Sequence, residues 1–310
     1  MKKIVFLFVL MMPLAAPAQF VTGLEGASGS TVGPSGDIFV TEGLVGRVSR
    51  VDPRSGVVST FAEGLPPSQL PIGGAVDVAF IGDTGYVLVT LVSLFSPYVD
   101  GVYRIDGPDS YTVIADLGAY STANPPETDF DIPTGVQWSI EAYRGGLLVS
   151  DGHHNRVLRV SLDGDINEFR TFGNIVPTGM DVSGHTVYLA QTGPAPHTPA
   201  DGKVVSFGPK SDSVHEEASG ASLLLDVEFG RGRSLFALSQ GEWDQDFPGS
   251  PAIPFDGALW EINADGSLRL IADEINLPNS VEIIQNDAYV VTLAGDILRI
   301  EDIASPSFGR

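Results

Sequence analysis

The sequence predicts an all-β, six-bladed β-propeller with four antiparallel strands per blade and a ring closed by an N-terminal strand. Three observations carry this. One short strand unit recurs six times, a second strand follows every copy, and successive copies start about 40 to 60 residues apart, the spacing of propeller blades. High turn content agrees, with 36 Gly and 22 Pro beside a hydrophobic fraction of 43%.

The first unit is a tight turn leading into an apolar strand. Its copies are 36–42 (GDIFVTE), 85–91 (GYVLVTL), 146–151 (GLLVSD), 185–191 (HTVYLAQ), 234–240 (SLFALSQ) and 287–293 (DAYVVTL). The second strand is 46–51 (GRVSRV), 101–105 (GVYRI), 155–160 (NRVLRV), 202–207 (GKVVSF), 257–262 (GALWEI) and 295–300 (GDILRI), which alternate with period two. Turn residues such as 52–56 (DPRSG), 163–164 (DG) and 263–266 (NADG) close hairpins to an outer strand, as at 57–62 and 268–272. An inner strand precedes each unit, at 76–80, 135–140, 179–182, 224–229 and 280–284, with the first near 28–32. The sixth unit ends near Asp302 without an outer strand, and residues 20–24 are expected to supply it, which also removes an exposed edge.

The N-terminus reads as a secretory signal peptide. Lys2 and Lys3 precede an apolar stretch at 4–14, and Ala16-Pro17-Ala18 offers small residues for cleavage after Ala18. The stretch is too short for a membrane span. The expected layout is therefore signal peptide 1–18, propeller 19–304 and C-terminal tail 305–310, in the periplasm or outside the cell. Cleavage leaves 292 of the 310 residues, enough for a core. The chain has no cysteine, which excludes disulfides, thiol chemistry and a lipid-modified cysteine. With 17 basic and 39 acidic residues its net charge is −22. Such a field repels nucleic acid and anionic lipid, so no nucleic-acid partner and no membrane anchor after cleavage are expected. A monomer is expected.

Antiparallel alternation puts the loops between strands 1 and 2, and between 3 and 4, on one face. These are short. Every long insertion, at 92–100, 119–133, 192–201 and 241–256, falls on the other face, where a small molecule or protein partner is expected. Tyr98, Phe130, His197, Trp243 and Asp244 are the candidate rim-loop binding residues. Glu25, Asp77, Thr134, Thr178, Asp226 and Asn279 are candidate channel-mouth residues, each near the start of an inner strand. His153 and His154 are expected in a blade loop with Asp151, a candidate metal cluster, although adjacent His in a strand would face opposite ways, which argues against joint ligation. The sequence has no Gly-x-Ser-x-Gly elbow, His-Glu-x-x-His or P-loop, so no catalytic residues are assigned.

Segment 149–160 (VSDGHHNRVLRV) resembles the NHL repeat, which implies that Asp151, Asn155 and Arg156 tie a loop to neighbouring strands. Across the chain, 33–42 (GPSGDIFVTE), 46–56 (GRVSRVDPRSG) and 61–66 (FAEGLP), in that order, resemble the ScyD/ScyE family of exported propellers. The one-sided insertions and the missing catalytic set point to a non-catalytic binding or scaffold propeller of that type. Segments 24–26 (LEG) and 277–279 (LPN) resemble the SMP-30/gluconolactonase propellers, which implies an alternative, a Ca²⁺-dependent hydrolase or lactonase holding metal on Glu25, Asp226 and Asn279. Thr134 and Thr178 stand where that family uses Asn. A quinone-dependent oxidoreductase has only the analogy of fold.

Overall fold

The computed structural model describes residues 16–209, 213–247 and 249–304. The charged and apolar segments of the expected signal peptide and the expected tail at 305–310 lie outside the described residues.

Six four-stranded antiparallel sheets form the ring. Blade 1 is β2 (Ala27–Val32), β3 (Ile38–Glu42), β4 (Arg47–Val51) and β5 (Val58–Ala62). Blade 2 is β6 (Gly74–Ile81), β7 (Thr84–Thr90), β8 (Gly101–Gly107) and β9 (Ser110–Asp116). Blade 3 is β10 (Gln137–Tyr143), β11 (Gly146–Asp151), β12 (Arg156–Val160) and β13 (Ile166–Thr171). Blade 4 is β14 (Pro177–Ser183), β15 (Thr186–Gln191), β16 (Lys203–Phe207) and β17 (His215–Ser219). Blade 5 is β18 (Leu224–Phe229), β19 (Leu235–Ser239), β20 (Gly257–Ile262) and β21 (Leu268–Ile275). Blade 6 is β22 (Pro278–Ile284), β23 (Asp287–Thr292) and β24 (Ile297–Ile300), completed by β1 (Ala18–Val21). Ala18 pairs with Arg299 and Val21 with Ile297, so the closing strand begins slightly earlier than 20–24.

The core is divided by blade interface. Each of six apolar clusters joins one pair of neighbours: Leu88 and Tyr86 meet Leu147 and Leu158 between blades 2 and 3, while Val21 and Tyr289 meet Ile38 and Val40 at ring closure. The middle strands are therefore buried on both faces, which is why β3, β11 and β19 are buried throughout and read as near-continuous apolar runs. Full burial of each large side chain is worth about 1.5–3 kcal/mol.

Every inner strand carries a register irregularity near its start, as between Ala75 and Asp77, and between Leu224 and Asp226. The others lie between Ala27 and Ser30, Gln137 and Ile140, Pro177 and Met180, and Pro278 and Ser280. Such bulges re-aim the side chains that follow. At the matching position the six blades present Gly29, Asp77, Ser139, Gly179, Asp226 and Ser280, which is Gly-Asp-Ser twice over. The glycines are steric partners of the aspartates. A Cβ on Gly29 would collide with the Asp77 carboxylate and lie 2.5 Å from the Val76 carbonyl oxygen; one on Gly179 would collide with the Asp226 carboxylate and lie 2.6 Å from that of Leu225.

One connection differs from the expected loop. Running into the 119–133 insertion the chain forms α1 (Leu117–Ala123), because Asp116 caps its start by accepting from the Ala119 amide.

Candidate functional site

The inner strands enclose a central channel cavity of about 170 Å³. Its walls carry six carboxylates, Asp77, Glu141, Asp181, Asp226, Glu228 and Glu282, and no Lys or Arg. Asp77 and Asp226 stand at the Gly-Asp-Ser level. The other four stand two residues further along their strands, away from the insertion-rich mouth, on the channel face that period-two alternation dictates.

These carboxylates knit blade to blade. Asp77 Oδ2 accepts from the Ile140 amide at 2.8 Å, Asp181 Oδ2 from Phe229 at 2.8 Å, and Asp226 Oδ2 from Val281 at 2.9 Å. Glu282 closes the ring by accepting from the Val32 amide at 3.1 Å and the Ser30 hydroxyl at 3.2 Å. Desolvation, reinforced by mutual repulsion, pushes Asp77, Glu141, Glu228 and Glu282 well above the usual carboxylate range. Asp226 is pushed up to about 7, with burial the largest cause. Asp181 is raised by burial, which outweighs the amide bonds it accepts from Phe229 and Val182.

The channel-mouth candidates separate. Asp77, Asp226 and Asn279 line the cavity. Thr178 is buried beside it, its hydroxyl donating to the Leu224 carbonyl at 2.8 Å. Thr134 precedes β10 with a buried hydroxyl that has no partner. Glu25 is not among the lining residues; its side chain is 60% exposed and lies 3.7 Å from Arg47. The trio Glu25, Asp226 and Asn279 is therefore not gathered into one ligand set. Among the described residues, no three His, Asp or Glu side chains are placed to hold a metal ion. A Ca²⁺ centre of that composition does not fit this geometry.

The carboxylates at 141, 181, 228 and 282 escaped the sequence reading. The signal was the period-two partner of each bulge residue, as in Asp226 and Glu228 or Ser280 and Glu282, which only correct inner-strand register exposes.

On the insertion-rich face, Tyr98 and Phe130 are exposed. His197 and Trp243 meet edge to face with centroids 5.3 Å apart, joining the insertions of blades 4 and 5. Trp243 Nε1 donates to the Ser250 hydroxyl at 2.8 Å, and that hydroxyl donates to exposed Asp244. The blade-5 insertion reaches across the ring, since a Cβ on Gly249 would touch Ile72, in the connection between blades 1 and 2, at 3.7 Å.

At blade 3 a buried polar hub fastens the 119–133 insertion. Arg156 is fully buried and donates to Asp151 at 3.3 Å, Glu168 at 3.1 Å, the Ser121 hydroxyl at 3.0 Å and the Asn124 carbonyl at 2.8 Å. Asn155 Oδ1 accepts from the Ile175 and Val176 amides. His153 and His154 lie, as expected, in a loop, the turn between β11 and β12. His153 Nε2 accepts from the Asp131 and Ile132 amides at 2.8 and 3.0 Å, while His154 takes a bond from Arg156 on Nδ1 and faces the Ile132 carbonyl with Nε2. The two rings thus serve as anchors for the insertion.

No family model matches the chain, and no curated protein sequence matches it. Solved structures do. The gluconolactonase XC5397 from Xanthomonas campestris is similar with a TM-score of 0.64 at 11% identity, over 94% of this chain and 99% of that one. The likeness is one of fold. It extends to the PQQ-bound aldose sugar dehydrogenase from Streptomyces coelicolor, at TM-score 0.61 and 14% identity over 91% and 96% of the chains. It extends also to virginiamycin B lyase from Staphylococcus aureus, at 0.55 and 13% over 90% and 96%. These likenesses show the six-bladed propeller fold.

Proposed function

We propose that this protein is an exported, non-catalytic binding propeller of the ScyD/ScyE type that holds a ligand or protein on its insertion-rich face. One observation carries the reading. Of the sixteen exposed large apolar side chains among the described residues, eleven lie on connections of that face, including Phe95, Tyr98, Phe130, Phe247 and Phe255. The five others are scattered over outer strands and opposite turns. Concentrated apolar exposure on one face marks an interaction surface, whereas single exposed residues do not. The order of segments 33–42, 46–56 and 61–66 supports the family placement, and residues 2–18 support export.

The hydrolase alternative needs Ca²⁺ and a gathered ligand set, and Glu25 lies apart from Asp226 and Asn279. Thermal unfolding of the mature protein with EDTA and then Ca²⁺, beside lactone hydrolysis assays, separates the two readings. The expected result is no Ca²⁺-dependent rise in Tm and no turnover. A rise abolished by Asp226→Asn, together with turnover, would replace this reading with the hydrolase.

A further inference from the structure

The charges on the connections are sorted by face. The twelve connections of the insertion-rich face contain no Lys or Arg. Its four long insertions alone hold nine Asp or Glu. Turns of the opposite face carry Arg54, Arg144, Arg231 and Arg233. The cations that approach the insertion-rich face from strand ends are engaged: Arg47 Nη2 lies 2.6 Å from Glu42, and Lys203 Nζ 2.7 Å from Glu216. The exposed apolar side chains and exposed acids such as Asp129 and Asp246 occupy the same loops. Asp129 precedes Phe130, which is 37% exposed, and Asp246 precedes Phe247, which is 44% exposed.

From this juxtaposition we infer that the insertion-rich face docks a basic, amphipathic polypeptide, whose Lys or Arg side chains meet the loop carboxylates while its apolar side chains cover the exposed aromatics. The inference rests on the binding-face reading above. Charge complementarity selects the partner's sign. An anionic ligand or lipid surface would meet only repulsion here, and a small neutral ligand would leave the acids unused. The breadth of the surface favours a polypeptide over a small molecule, since exposed apolar side chains occur on connections of blades 1, 2, 5 and 6 and on the linker to blade 3. Aromatic faces beside carboxylates also suit Arg and Lys heads through cation–π contact.

The test uses three fluorescent model peptides on the mature protein: an amphipathic Lys/Leu peptide, its Lys/Ser analogue and its Glu/Leu analogue. The Lys/Leu peptide is expected to saturate one site and to weaken steeply with salt, with both analogues about tenfold weaker or worse. Asp129→Asn with Asp246→Asn, and separately Phe95→Ser with Phe255→Ser, are each expected to cost about tenfold in Kd. Asp109→Asn with Asp163→Asn removes the same charge from the opposite face and is expected to change nothing. Tighter binding of the Glu/Leu peptide, lost in the Phe95/Phe255 variant, would overturn the basic partner and keep the binding face. Peptide binding indifferent to every insertion-face variant would overturn both. Flotation with phosphatidylcholine or phosphatidylglycerol vesicles that depends on Phe95 and Phe255 would replace the polypeptide with a membrane.

Discussion

The Ile140 amide donates to the Asp77 carboxylate at 2.8 Å, a bond between neighbouring blades and between residues 63 positions apart in the chain. Val281 and Asp226 repeat it on the opposite side of the ring at 2.9 Å. Inner strands of adjacent blades share no ladder, so side chains must satisfy the amides that their bulges leave free. A carboxylate does this with a charge-assisted bond, at the cost of being desolvated in a channel with five others.

That cost sets a pH dependence. The Asp226 pKa is raised to about 7 in the folded protein, from an ordinary value of 3.8. The folded state then binds more protons than the unfolded chain between these values, so this group's contribution makes stability fall as pH rises through the window, with the loss complete above about pH 7. Asp226→Asn is expected to flatten that part of a plot of Tm against pH. An unchanged slope would refute the assignment.

The glycine that makes room for this carboxylate is equally exposed to test. Gly179→Ala places a methyl against Asp226 and the Leu225 carbonyl, with no unusual backbone angle to blame. It is expected to lower stability by about 1–3 kcal/mol in urea unfolding. Gly173→Ala, which meets open space, is the control and should be near neutral.

Removing Arg156 strands Asp151, which is fully buried. Arg156→Met is expected to cost about 3–5 kcal/mol in the same measurement, as breaking one side of a buried ion pair does. Amides of 117–133 should lose hydrogen-exchange protection, since Ser121 and Asn124 lose their anchor.

His153 works only as a neutral ring, because Nε2 accepts two amides. Burial holds its pKa below 6.5, against the pull of Asp151 and Asp131. The stability it contributes is present above 6.5 and is lost as pH falls through the depressed folded value. An NMR titration should show His153 with a midpoint below 6.5, and exchange at the Asp131 and Ile132 amides should accelerate as it protonates. A midpoint above 6.5 would contradict the acceptor role.

Much of the architecture was legible because propeller repeats write themselves locally. The runs at 87–89 and 147–149 are apolar without alternation since both faces of a middle strand meet a neighbouring blade, and glycine turns mark each hairpin. The helix at Leu117–Ala123 was missed because seven residues, two of them Thr and Gly, give little periodicity, and its Asp116 cap is visible only once the turn is formed. Asp77, Asp226 and Asn279 were legible as channel residues from their place at the start of inner strands. Glu25 has the same placement in sequence, yet Arg47 and its distance from β2 keep it outside the channel.

By itself the sequence determined six blades, their strand order and the face on which the insertions project, because each follows from local periodicity and from counting strand reversals. The tertiary structure alone decided that Gly29 and Gly179 exist for Asp77 and Asp226, that Glu141, Asp181, Glu228 and Glu282 share one channel, and that Arg156 ties an insertion 32 residues away to the ring. Bulges shift inner-strand register by amounts no local pattern encodes, and the carboxylates meet only when the ring closes and brings strands far apart in the chain around one axis.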